Sequence, residues 1–351
     1  MSNAQGMNNL TIADCQDTDQ NKWDNYLLSS PDANFYQRYA WRNINTNCFG
    51  HKTFYLTATE GDQITGVLPL VFINSRLFGR MLSSMPFVNF GGISSEQPAV
   101  VEKLLERASE LTKELDVDYC ELRSLQPVSP DLPSNSHKVS MSIKLNDDPE
   151  TLWGAYKSKH RTNIRRVQKE GVTVTSGREE LLDDFYHVMV HSWRGLGTPI
   201  YRKQYFQSIL KAFPTETKIF VLYLNEKPVA TAFNGYYKGV VEGMWAGALS
   251  EYRRLQPNYV LYWEMIKDAC LSGFQHYHLG RSTAGSGAED FKKKWNATAI
   301  PLYWEYILNN KPEIPQLNTN NPKYRIAIDM WKKLPLSATI IIGPYLAKSI
   351  P

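Results

Sequence analysis

The sequence predicts an α+β fold of two tandem units, each built on a mixed sheet, and three observations carry that prediction. A β-hairpin pattern occurs twice. Residues 53–60 (TFYLTATE) and 63–73 (QITGVLPLVFI) flank the turn Gly61-Asp62, and residues 218–224 (KIFVLYL) and 228–237 (PVATAFNGYY) flank Asn225-Glu226-Lys227. Each hairpin is followed by an amphipathic helix and then a strand. The two strands end alike, as YCELRS at 119–124 and YHLGRS at 277–282. One duplication accounts for all three better than two unrelated domains do.

Taken in order, residues 1–6 read as a tag remnant, with Met7 as the natural start. In the first repeat, residues 98–115 carry Leu104, Leu105, Ala108, Leu111 and Leu115 at helical spacing, and 117–122 follow as a strand. The polar stretch 146–150 (NDDPE) sets the boundary, giving domains 7–148 and 149–310. A helix over 151–169 opens the second repeat, and 239–248 (GVVEGMWAGA) reads as a strand. Pro257 suits the first turn of a helix over 257–272, Gly273 ends it, and strand 274–279 follows. Residues 309–323 read as a linker. A last helix over 324–333, with Tyr324, Ile328 and Trp331, is expected to bring the C-terminal segment (311–351) back onto the first domain.

Composition narrows the class. Of 351 residues, 42% are hydrophobic and 21% charged, which fits a globular chain and excludes a disordered one. The net charge of +4 is too mild to mark a nucleic-acid binder by itself. Cys15, Cys48, Cys120 and Cys270 are far apart, without metal-ligand or disulfide-framework spacing, which points to a reduced compartment. The polar first forty residues hold no signal-peptide core, so the expected location is the cytoplasm, at or near the inner face of the membrane. The apolar run Leu334–Ala347 is interrupted by Pro335, Gly343 and Pro344 and flanked by Lys332, Lys333 and Lys348. It is expected either to pack on the body or to touch an anionic membrane surface.

Two segments carry chemistry. Lys157, Lys159, Arg161, Arg165, Arg166 and Lys169 crowd one helix with the single acid Glu170. Arg161, Arg165 and Lys169 recur every four residues on one face, an arrangement suited to phosphate oxygens; a solvated surface is the plain alternative. Trp153, Tyr156, Ile164 and Val167 form the face that can be buried. The second segment is 280–297 (GRSTAGSGAEDFKKKWNA). Its small residues permit close backbone approach, and its hydroxyls and cations suit an anion or an acyl oxyanion. His187 and His191 lack the third ligand a metal site requires, and His276 and His278 alternate on a strand as sheet packing or cleft edge. No G-x-S-x-G elbow and no P-loop is present.

Residues 161–174 (RTNIRRVQKEGVTV) and 256–297 resemble the opening and closing signatures of the second domain of the Fem-type aminoacyltransferases. Residues 322–345 (PKYRIAIDMWKKLPLSATIIIGPY) resemble the FemAB-like proteins associated with exosortase and extracellular-polysaccharide gene clusters. The resemblance implies two GNAT-like domains and a metal-independent transfer of an acyl or aminoacyl group to an amine of a cell-envelope or polysaccharide precursor. It implies no tightly bound cofactor, the donor being aminoacyl-tRNA or acyl-CoA. The family's Phe-Lys pair falls on Phe291-Lys292, which assigns Lys292 the catalytic role of stabilising charge on the acyl carbonyl. The candidate substrate and donor contacts are Arg161, Asn163, Arg165, Lys169, Arg253, Arg254, Asn258, Arg281, Ser282, Phe291 and Trp295, with Trp193, Trp245 and Tyr259 as cleft walls. The run 253–258 (RRLQPN) lacks the glycines with which GNAT enzymes cradle an acyl-CoA pyrophosphate. Two other readings stand beside this one: a non-catalytic scaffold binding an anionic glycan or nucleotide precursor, and a tRNA-binding module.

Overall fold

The computed structural model describes residues 10–76, 78–314 and 322–350. The expected tag remnant, Met7 and residues 315–321 of the expected 309–323 linker lie outside them. The chain runs β1 (Leu10–Asp14), α1 (Gln20–Ser29), α2 (Ala40–Phe49), β2 (Lys52–Glu60), β3 (Gln63–Ser75), β4 (Gly79–Ser83), α3 (Pro98–Glu114), β5 (Tyr119–Ser124) and β6 (Ser134–Lys144). It continues through α4 (Pro149–Ala155), α5 (Ser158–Gln168), β7 (Thr173–Gly177), α6 (Leu182–Leu196), α7 (Lys203–Ala212), β8 (Thr217–Leu224), β9 (Lys227–Tyr237) and β10 (Val240–Ala248). The last elements are α8 (Asn258–Leu271), β11 (His276–Thr283), α9 (Gly287–Lys293), β12 (Thr298–Leu308), α10 (Pro322–Lys333) and α11 (Leu336–Ala347).

Two compact units result. Among the described residues, the first holds those up to His137 together with 301–314 and 349–350; the second holds 138–300 and 322–348. In the first, strands follow the order β1-β2-β3-β4-β5-β12; in the second, β7-β8-β9-β10-β11-β6. The pairing types repeat as well: β4–β5 and β10–β11 are parallel, and the other pairs with described registers are antiparallel. The duplication seen in sequence is therefore real, with one exchange. β6 follows β5 in the chain but pairs with β11, while β12 follows β11 but pairs with β5. This crossing moves the second unit's start to Lys138, about one strand before the expected boundary, and ends its main run at Ile300.

Each core follows from alternation along the strands. In the first unit Leu56, Leu68, Leu70 and Leu122 meet Leu104, Ala108 and Leu111 of α3. In the second, Phe220, Val241, Tyr277 and Leu279 meet Tyr259, Leu261 and Ile266 of α8 and Ile164 and Val167 of α5. The opposite face of that sheet is covered by α6 and α7, where Phe185, Phe206, Phe233 and Trp245 pack edge to face.

Two expectations need correction. The helix expected over 151–169 is broken, because Tyr156 leaves helical geometry (ψ 144°) and places its ring against His160 and Trp295. The helices of the C-terminal segment belong to the second unit, not the first. α10 and α11 pack on α6 in the second. A Cβ on Gly197 would lie 2.5 Å from Ile328 Cγ2, Arg194 Nε donates to Leu334 O at 2.7 Å, and Gly343 sits against Ile200. Gly197 ends α6 at φ +82°, so a glycine both turns the chain and admits α10.

Candidate active site in the second unit

The parallel pair β10–β11 pairs over only Val240–Glu242 and His276–His278. Beyond that point β10 bulges between Gly243 and Trp245, and β11 shifts register between His278 and Arg281. The parallel ladder between the two strands ends there, at a point termed the fork. Gly280 stands at the fork with φ +78°, and a Cβ there would meet Gly243 O at 2.6 Å. Glycine is required at that point by conformation and by space together.

Glu242 and His278 are neighbours across the last pair, and His278 Nδ1 lies 2.7 Å from Glu242 Oε1. Both are buried. Burial opposes protonation of His278, but the charge of Glu242 and its hydrogen bond outweigh it and raise the imidazole above its ordinary value. Val241, Tyr277 and Leu279 belong to the core under α8. Strand alternation therefore turns Glu242 and His278 to the side of α6 and α7, the side that Trp245 occupies.

Lys292 approaches the same fork from α9. Ser286 caps this short helix by accepting from Glu289 N, and Trp295, fully enclosed, anchors its end among Tyr262, Phe291 and His160. Lys292 Nζ donates to Gly280 O at 2.8 Å and to Arg281 O at 3.2 Å. Burial, and then the nearby Arg281 charge, lower its pKa to about 8. An ammonium with three donors, two of them on the carbonyls of the fork, is held in place and keeps one donor for an oxygen entering there.

The other expected site residues divide. Ser282 is buried beside the fork with no hydrogen-bond partner on Oγ, and Arg281 is half-buried next to it. Phe291 packs on Tyr259 and Tyr262. On α5, Arg161 Nη1 donates to Gly154 O (2.8 Å) and Trp153 O (3.3 Å), closing the end of α4, and Arg165 lies over the Trp153 ring. Asn163 is half-buried, and Lys169 is exposed at the helix end. Arg253 and Arg254 are exposed in the turn before α8, which Arg166 ties to α5 through Leu255 O and Gln256 Oε1. Asn258 opens α8 with Oδ1 enclosed and unpaired. The basic face and the start of α8 thus lie together. Trp295 is a correction, because a residue with no exposed surface anchors α9 and cannot touch a ligand directly. The three cleft walls are another. Trp193 packs on Tyr201, and Trp245 on Phe206, on the α6–α7 side, whereas Tyr259 faces His160 and Phe291 on the α8 side.

The sequence left His278 as sheet packing or cleft edge and did not join it to Glu242. Thirty-six positions separate the two, and only the parallel register brings them together.

The first unit has the same fork, already filled. β4 and β5 pair over Met81–Ser83 and Tyr119–Glu121. Ser84 N then donates to Glu121 O at 2.9 Å, and Gly91 N to Arg123 O at 3.0 Å. Glu121 and Arg123 form a buried ion pair (2.6 Å) with Tyr306 and Ser83 on the carboxylate.

Residues 156–293 match the family described as "Acetyltransferase (GNAT) domain". The second unit has a GNAT-like fold. The whole chain is similar in fold to the crystal structure of FemX, with TM-score 0.66 and 14% identity over 86% of this chain and 98% of that one. It is also similar to the C-terminal domain of a putative lysylphosphatidylglycerol synthetase from Agrobacterium fabrum (TM-score 0.56, 11% identity, 82% and 91% covered). A tandem GNAT protein from the clavulanic acid biosynthesis pathway matches with TM-score 0.53 and 8% identity over 87% and 100%. At these identities the likeness is one of fold: two GNAT-like units in tandem. No curated protein matches the chain in sequence.

Proposed function

We propose that the chain is an N-acyltransferase that moves an acyl or aminoacyl group onto an amine of a cell-envelope or extracellular-polysaccharide precursor, and that it does so at the fork of the second GNAT-like unit. The observation that carries this reading is that Lys292 Nζ is held on Gly280 O, two residues beyond His278 and its partner Glu242, where the β10–β11 ladder ends. The amine enters from the α6–α7 side. Neutral His278, with Glu242 holding its Nδ1, takes a proton from the attacking ammonium. The free amine attacks the acyl carbonyl, and the Lys292 ammonium stabilises the oxyanion; as it collapses, the acyl C–O or C–S bond to the donor breaks and the second proton on the attacking nitrogen passes to the leaving oxygen or sulfur. The first unit's filled fork supports a scaffold role for that half.

The donor is aminoacyl-tRNA or acyl-CoA. The basic face of α5 and Arg253–Arg254 favour a phosphate-bearing donor, and the glycine-free turn 253–258 favours aminoacyl-tRNA of the two. The expected location is the cytoplasm. The fold of FemX and of the lysylphosphatidylglycerol synthetase domain supports envelope chemistry. The test is native mass spectrometry and product analysis with acyl-CoAs and aminoacyl-tRNAs, each with amine-bearing nucleotide-sugar and lipid-linked acceptors. Mass transfer to an acceptor amine, lost in Lys292→Ala, is expected. Donor or precursor binding without turnover, unaffected by that change, would favour the scaffold reading instead.

A further inference from the structure

α11 is twelve residues long and contains no charged side chain, yet it lies on the surface. Thr339, Gly343, Pro344 and Ala347 face inward. Ile341 (67% exposed), Ile342 (44%) and Tyr345 (58%) face outward, and Ile326 and Met330 of the preceding helix α10 are exposed as well. Among the described residues eight large apolar side chains are exposed, and these two helices hold five of them. A soluble surface scatters such residues singly; grouping them on adjacent helices marks a face made to be covered.

Charge says by what. From residue 325 to 348 the segment carries Arg325, Lys332, Lys333 and Lys348 against the single acid Asp329. Arg202 adds a guanidinium 5.1 Å from the centre of the Tyr345 ring. An aromatic–aliphatic face edged by cations matches an anionic bilayer, with apolar side chains among the acyl chains and guanidinium and ammonium groups at the phosphates. Among the described residues no helix is long and apolar enough to cross a membrane, so the contact is one of surface, not span. We infer that the outer face of α10 and α11 docks the protein on membrane surfaces rich in anionic lipid. The inference does not depend on the acyl-transfer reading.

The test is sedimentation of the full chain with large unilamellar vesicles of phosphatidylcholine alone or with phosphatidylglycerol added, at low and high salt. The wild type is expected to partition at least tenfold more strongly onto the phosphatidylglycerol vesicles, with loss of binding as salt rises. Ile341→Glu/Ile342→Glu is expected to reduce that partition about tenfold or more, with circular dichroism and Tm unchanged because both side chains point outward. Lys332→Gln/Lys333→Gln should reduce the preference for anionic lipid while leaving the fold intact. Equal partition on both vesicle types, or binding that the Ile341/Ile342 variant retains, would overturn the inference. So would absence of vesicle binding together with a dimer, seen by analytical ultracentrifugation, that the same variant dissociates.

Discussion

The pH dependence of transfer follows from two groups at one fork. His278 must be neutral to accept a proton, and its pKa is raised above the ordinary 6.5 by Glu242. Lys292 must be charged to stabilise an oxyanion, and burial brings its pKa down to about 8. Activity therefore rises on an acid limb above pH 6.5 and falls on an alkaline limb near pH 8, a narrow bell. Removing the ammonium with Lys292→Ala takes away one oxyanion donor, a loss of about 10²- to 10³-fold in kcat, or roughly 3–4 kcal/mol. Lys292→Arg keeps the charge at every accessible pH, so its residual activity should lose the alkaline limb. The assay is kcat/KM from pH 5.5 to 10 for the three proteins, with Tm followed at each pH. An alkaline limb unchanged in Lys292→Arg, or activity in Lys292→Ala within threefold of wild type, would refute the assignment.

Other outcomes follow from the same structure. Glu242→Gln removes the charge that raises His278 and leaves the burial that opposes its protonation, so the acid limb should move down, below pH 6.5, while kcat falls; a limb that does not move would place the base elsewhere. Gly280→Ala forces a left-handed residue and a Cβ against Gly243 O, and should cut kcat at least tenfold in a protein that still folds, as checked by circular dichroism. His160 is buried without a partner on either ring nitrogen, and burial followed by the Lys294 charge lowers its pKa to about 4. The unfolded chain binds that proton near pH 6.5, so stability should fall by about 2 kcal/mol as pH drops from 6.5 to 4. Urea denaturation of His160→Phe should show that loss reduced. In the first unit, Glu121→Leu strands the buried Arg123 charge and should cost about 3–5 kcal/mol by the same measurement; a loss under about 1 kcal/mol would mean that the filled fork is not held by this pair.

What was legible in the sequence was whatever is local. The hairpins β2–β3 and β8–β9 and helix α8 carry their period and turn residues locally and stand close to where the spacing placed them, and the strands β5 and β11 form two to four residues further along the chain than expected. The exchange of β6 and β12 is a choice of partner, and no residue in SNSHKVSMSIK says which edge it will join. The break at Tyr156 follows Gly154 by two residues, a weak local signal, and packing of the Tyr156 ring on His160 and Trp295 completes it. Lys292 was marked by its signature. The carbonyls that hold it and the Glu242–His278 pair depend on the register of β10 against β11, which no window of sequence contains. The docking of α10 rested on a detail of similar kind, the lack of a side chain at Gly197.

The most direct test of the central claim is a single-turnover experiment, with enzyme in saturating excess over a labelled donor, comparing wild type with Lys292→Ala. The account predicts that both bind the donor with similar Kd, that wild type passes the label to the acceptor amine, and that the variant does so about a hundredfold more slowly. Transfer at the wild-type rate in the variant, or label that never leaves a donor bound by both proteins, would contradict it.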